Sequence, residues 1–165
     1  MDAFFLIKCI DEVHEVIIKN EKEIESLDRA IGDGDHFINL KRGCIAIQSI
    51  KDELLPLNNS QIFQKIGMKI LSTVGGASGP LFATFFLEIS KTIKDNEDEL
   101  HNFCEGFNQA VNAIKQRGKS DIGQKTMLDV LIPVAETFKT NMGDNVERQK
   151  LLDAIDVEAH KGVLS

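Results

Sequence analysis

Apolar residues recur at intervals of three and four along almost the whole chain, the period of a helix with one buried face. Ile7, Ile10, Val13 and Ile17 set such a face near the start, and Ile38, Cys44, Ile45, Ile47 and Ile50 form a broader one over residues 36–51. Ser60 is a candidate N-cap for QIFQKIGMKILSTV. Pro80 stands where a first helical turn tolerates proline, ahead of LFATFFLEISKTI. That segment is apolar on most sides, which predicts a central helix. Leu100, Phe103, Phe107, Val111 and Ile114 predict a helix over roughly 97–117 that ends at Gly118. Another is expected over roughly 125–139. Within it Pro133 frees the carbonyl of Asp129, so a bend is expected there. The last, roughly 145–160, is the most polar. No segment alternates with the period of a strand. The pattern therefore predicts an all-α fold: an antiparallel up-and-down barrel or bundle of about seven to eight helices, as one domain over residues 1–165.

Composition narrows the function. With 165 residues and 42% hydrophobic content, the chain suits one domain with a substantial core. A net charge of -7 and the absence of Trp and Tyr count against nucleic-acid binding and against an anionic membrane surface. The apolar run at the N-terminus has no basic segment before it and is interrupted by Asp11, Glu12 and Glu15, so it reads as a helix of the fold. Cys9, Cys44 and Cys104 are far apart with no CxxC pair. That fits buried thiols in a reducing compartment and a cytoplasmic location.

The glycines concentrate between helices, at Gly32/Gly34, Gly75/Gly76/Gly79 and Gly118/Gly123. In an up-and-down arrangement alternate loops share one end, so these three loops are expected around one pocket. The first loop crowds carboxylates. Asp33 and Asp35 point the same way if the backbone is extended, and Asp28 lies about a turn back on the preceding helix. Three carboxylates about 4 Å apart repel by roughly 4 kcal/mol per pair at an effective dielectric of 20. A divalent cation removes that cost, and all-oxygen ligation suits Mg²⁺ or Ca²⁺ rather than zinc. An EF-hand does not fit, because Phe37 occupies the fifth position and no Glu closes the loop. From spacing alone, a DGD turn with capping aspartates accounts for the pattern equally well.

The second loop, TVGGASGPLF, combines close backbone approach, the Ser78 hydroxyl and a helix start, a combination that favours a phosphate; tight helix packing explains it as often. The third, RGKSDIGQKTMLD, brings Arg117, Lys119 and Lys125 beside glycines, with Met127 able to cover a flat base. Taken alone, it reads better as a solvated loop with a core methionine. His36 is a candidate phosphate contact and shares a helix face with Asn39.

Together, LDRAIGDGDH, VGGASGPLFATFF and AIKQRGKSDIGQKTMLDVLIPV strongly resemble the nucleotide-binding L subunit (DAK2-type domain) of dihydroxyacetone kinase, over about Ile24 to Phe138. The resemblance implies an eight-helix barrel with ADP or ATP in a funnel at one end. It implies that Asp28, Asp33 and Asp35 hold two Mg²⁺ ions that bridge to the phosphates. It places nucleotide contacts on His36, Asn39, Ala77, Ser78, Gly118 and Met127, and names no catalytic residue. The partners it implies are a K subunit that presents dihydroxyacetone and a phosphorylated M subunit of the phosphotransferase system that regenerates ATP. Two departures stand out. Phe37 replaces a glycine of the family pattern, so a bulky group is expected at the funnel floor. The chain also stops at AHKGVLS, short of a family segment that covers the nucleotide and supplies an arginine. These departures motivate an alternative, a non-catalytic nucleotide- or partner-binding regulatory module of the same fold.

Overall fold

The computed structural model describes residues 3–94, 99–141 and 147–165. Among them the fold is all-α. The helices are α1 (Ala3–Lys19), α2 (Glu21–Ile31), α3 (His36–Gln48), the four-residue α4 (Lys51–Leu54), α5 (Asn59–Thr73), α6 (Ser78–Thr92), α7 (Glu99–Gly118), α8 (Leu128–Thr140) and α9 (Arg148–Val163). The predicted starts at 97 and 145 fall outside the described residues. Among the described residues no helix is long and apolar enough to cross a membrane.

Neighbours in sequence are largely neighbours in space. α1 and α2 pack on α3, α3 packs on α5, and α5 through α9 follow one another in order. α6 sits between α5 and α7, and no residue from Ser78 to Ser90 is exposed, as its apolar pattern predicts. Two buried clusters form the core. The first is built on Leu54, Ile62, Ile66 and Ile89, the second on Cys104, Ile114 and Leu128, and Phe85 and Phe103 pack against both. Burial of each such large aliphatic side chain stabilises the fold by about 1.5–3 kcal/mol.

Local sequence sets the helix ends. Asn58, rather than Ser60, caps α5: its side chain accepts from Gln61 N at 2.9 Å, and the Gln61 side chain accepts from Asn58 N at 3.1 Å. An amide two residues earlier can reach the free N–H groups of the first turn, whereas Ser60 already lies inside the helix. Its hydroxyl donates instead to the Ser90 carbonyl at 2.6 Å and ties α5 to α6. The face expected on α1 is only partly covered, because Val13 is 54% exposed while Leu6 is buried. On α3, Ile38 and Ile45 likewise face solvent, and Phe37, Cys44 and Ile47 face inward. Pro133 stands inside α8. The carbonyl it frees, that of Asp129, is approached by Gly162 of α9, where a Cβ would come within 2.3 Å of the oxygen.

Candidate functional site: an acid trio and two glycine loops

The first loop turns sharply between α2 and α3. Gly34 has φ +78°, a left-handed conformation that glycine adopts without steric cost. Asp35 follows at φ −100°, ψ −5° as the residue that precedes α3. The backbone between Asp33 and Asp35 is therefore a turn, the one of the two conformations open to the sequence that is not extended. The side chains still converge. One carboxylate oxygen from each of Asp28, Asp33 and Asp35 lies within 4.8 Å of the others, with Asp28 half-buried and the other two exposed.

Capping explains only part of this arrangement. Asp28 Oδ2 accepts the first backbone N–H of α3, from His36, at 3.0 Å. Asp35 stands at the N-cap position, yet its carboxylate makes no capping bond. Asp33 Oδ1 accepts only a long bond from Asp35 N, at 3.4 Å. Gly32 supplies the room for the trio. A Cβ there would stand 2.4 Å from Asp28 Oδ1, so only glycine lets that carboxylate fold back over the loop. Three hard oxygen ligands around a common point, two of them open to water, fit a partly hydrated Mg²⁺ better than a dehydrated site.

The second loop lies against the first. A Cβ on Gly75 would be 3.2 Å from Asn39 Oδ1. One on Gly76, which has φ +69°, would be 3.5 Å from Asn39 Nδ2 and 4.0 Å from Asp35 Oδ1. Asn39 is buried, and its Oδ1 accepts from Arg42 Nη1 at 3.0 Å. Ala77 precedes α6 and has no capping side chain, so the first-turn N–H groups of α6, which begins at Ser78, get no cap from it. Gly79 is buried where a Cβ would meet the Val74 carbonyl oxygen at 2.3 Å. That neighbour is backbone and cannot rotate away. Gly79→Ala is therefore expected to destabilise the protein by about 1–3 kcal/mol, with overpacking as the cause, read as a lowered melting temperature.

The third loop meets the start of α6 rather than the acids. Gly118 lies beside Leu81, and Met127 packs in the second core cluster, to which Leu81 also belongs. Arg117 Nη1 donates to Thr84 Oγ1 at 3.1 Å. Lys119 and Lys125 are exposed and hold left-handed φ values of 50° and 55°. Asp129 is where sequence reasoning fell short. Only its carbonyl drew attention, but its side chain is buried and accepts backbone N–H bonds from Gly123 and from Thr126, the latter at 2.9 Å. Those N–H groups hold its carboxyl below the usual aspartate range. A lowered folded-state pKa means that this stabilisation is present above the ordinary value and is lost as pH falls through the folded one. The signal available in the sequence was an aspartate in the first turn of a helix that follows a glycine loop.

Phe37 does not stand in the way. Its side chain is 3% exposed, and Lys41 Nζ lies 5.6 Å from its ring centroid. The residue after the histidine points into the protein in this helical register, so its bulk is absorbed by packing. One of the two motives for a non-catalytic module thereby falls away.

Residues 30–165 match the family model of the DAK2 domain. The chain is 34% identical over 162 residues to the ADP-binding subunit DhaL of dihydroxyacetone kinase 1, a PEP-dependent enzyme of Listeria innocua, with 98% of this chain and 82% of the relative covered. It is 34% identical to the corresponding Escherichia coli subunit, with 91% and 70% covered. Among solved structures it resembles the dihydroxyacetone kinase of C. freundii in complex with AMP-PNP and Mg²⁺, with a TM-score of 0.73 and 25% identity. The likeness covers 98% of this chain but only 29% of that kinase.

Proposed function

The chain belongs to the DAK2 domain family, and from that premise we propose that it is the ADP/ATP-binding subunit of a phosphoenolpyruvate-dependent dihydroxyacetone kinase. Its residues 1–165 act as one L-type domain. A phosphoryl group passes from Mg-bound nucleotide to dihydroxyacetone held on a K-type partner, and a phosphorylated M-type subunit of the phosphotransferase system restores the ATP. The reaction takes place in the cytoplasm, where three free thiols would persist.

The observation that carries this reading is the convergence of Asp28, Asp33 and Asp35 within 4.8 Å, next to the Gly75–Gly76 turn. A nucleotide's phosphates and three carboxylates repel one another, so they share a site only with cations between them. Asp28, Asp33 and Asp35 would hold two Mg²⁺ ions. When bound, the metal neutralises the phosphate charge that develops during transfer. The uncapped start of α6 at Ala77 and Ser78 offers backbone N–H groups to phosphate oxygens. His36 and Asn39 orient the phosphates from α3, and Gly118 and Met127 flank the base. Phosphoryl transfer asks the protein for positioning and charge neutralisation more than for a nucleophile, so no residue of this chain acts as base.

The test is reconstitution with K- and M-type partners, phosphoenolpyruvate and the general phosphotransferase proteins. Dihydroxyacetone phosphate is expected only when this chain, nucleotide and Mg²⁺ are all present. Bound Mg-nucleotide without any transfer would reject the catalytic role.

A further inference from the structure

The loop from 119 to 126 needs an anchor. Three of its residues, Lys119, Gly123 and Lys125, have φ between 50° and 80°, and two of them are lysines, for which the left-handed region is uncommon and strained. Its ties to α7 lie near the surface. Ser120 N reaches the Lys115 carbonyl at 3.4 Å, and Lys115 Nζ pairs with Asp121 at 2.6 Å, both side chains being more than 40% accessible. Exposed pairs of this kind are screened by water and salt and hold a loop weakly.

At its other end the loop is held to α8 by Thr126, whose Oγ1 accepts from Leu128 N at 3.2 Å and whose carbonyl accepts from Asp129 N at 3.0 Å, and by a tie that is different in kind. Asp129 is the only charged side chain that is buried among the described residues. A buried carboxylate must be compensated, and here the compensation comes from the loop's own backbone, through the N–H groups of Gly123 and Thr126. Asp129 sits in the first turn of α8, immediately after Leu128, which is fully buried and fixes that turn to the core. The carboxylate thus couples a strained surface loop to a fully buried point of the second cluster. The residues that bracket the loop are Gly118, beside Leu81, and Met127, packed in that same cluster.

We infer that Asp129 is a positioning residue: its carboxylate straps the 119–126 loop down and thereby sets Gly118 and Met127 against the base of the nucleotide, without touching the nucleotide or the metal. This inference rests on the nucleotide-binding reading above. It assigns the strap to recognition of the base and not of the phosphates, because the acid trio and the Gly75–Gly76 turn lie on the other side of the start of α6 in the contact sequence, with α3 and α5. Asp129→Asn is nearly isosteric and keeps one acceptor, but it turns an NH₂ group toward an N–H donor, so the loop loses one bond and gains a repulsion.

Three measurements on the full chain test it. In the unsubstituted protein, hydrogen exchange of the Gly123 and Thr126 amides is expected to be slow although the loop is exposed; fast exchange of both would overturn the strap. In Asp129→Asn, trypsin cleavage after Lys119 and Lys125 is expected to rise about tenfold with unchanged helical circular dichroism, and an unaltered rate would overturn it equally. By calorimetry, the same variant is expected to bind Mg-ADP roughly tenfold more weakly while binding Mg-pyrophosphate as the parent does. Equal weakening of both ligands, or of neither, would contradict a role in base positioning. Failure of the parent protein to bind Mg-ADP at all is a separate result. It would overturn the nucleotide reading and the base-positioning role with it, whereas exchange and cleavage would still report on the strap itself.

Discussion

Asp33→Asn is expected to abolish magnesium-dependent nucleotide binding and to leave the helices intact. Asp33 contributes one of three oxygens that meet within 4.8 Å, and its substitution removes a charge and leaves a weaker, neutral amide oxygen in place of an anionic one. Changes to groups that merely support metal ligands typically cost 10–100-fold in affinity, so loss of a direct ligand is expected to cost about a hundredfold or more. The fold has little stake in this side chain. It is exposed, and the 3.4 Å bond it accepts from Asp35 N can be kept by an amide oxygen. Calorimetry with ADP in the presence and absence of Mg²⁺, beside circular dichroism, checks both halves. Ordinary binding by the variant would contradict the assignment of Asp33 as a ligand.

Gly32→Ala is expected to produce a similar loss by an indirect route. The backbone at Gly32, φ −131° and ψ −162°, is extended and open to alanine. The obstacle is the Asp28 carboxylate, whose Oδ1 would lie 2.4 Å from the new methyl group. A carboxylate at the end of a rotatable side chain can move, so the collision is relieved by swinging Asp28 out of the trio and away from the His36 N–H. Losing that helix-start bond costs about 0.5–2 kcal/mol, and replacing glycine returns about 0.4–1 kcal/mol through the unfolded chain. Stability should therefore change by no more than roughly 1.5 kcal/mol, while magnesium-dependent ADP affinity falls at least about tenfold. A variant that loses stability instead, and binds normally, would show that Asp28 is not held in place by the space at residue 32.

The contrast between these two glycine-dependent effects, at Gly32 and at Gly79, shows what was legible in the sequence. The helices were, because a period of three to four survives even where a face is only half covered, as at Val13. The central place of α6 followed from LFATFFLEI alone. The three acids could be picked out by spacing, but spacing left a DGD turn and an extended segment equally open. An extended backbone and a left-handed Gly34 both place Asp33 beside Asp35 in sequence terms, and only the φ of +78° distinguishes them. The cap of α5 was misplaced by two residues for a related reason: Asn58, Asn59 and Ser60 are all competent caps, and the reciprocal bond from Gln61 decides among them. Phe37 was read as a threat to the site because a bulky ring stands there in place of the family's glycine. Helical geometry turns successive residues by about 100°, and that rotation sends the ring inward. The Asp129 strap was least visible, since a buried carboxylate bonded only to backbone N–H groups has no partner type that a sequence can reveal.

The central claim is that Asp28, Asp33 and Asp35 hold the cations through which this chain keeps its nucleotide. The most direct test is diffraction from crystals grown with ADP and Mn²⁺ in place of Mg²⁺, with anomalous differences used to locate the metal. We expect two peaks among the three aspartates, each about 2.0–2.2 Å from carboxylate oxygens of the trio, with nucleotide phosphates as further ligands. A metal bound elsewhere, or ADP seated with no metal between its phosphates and these carboxylates, would contradict it.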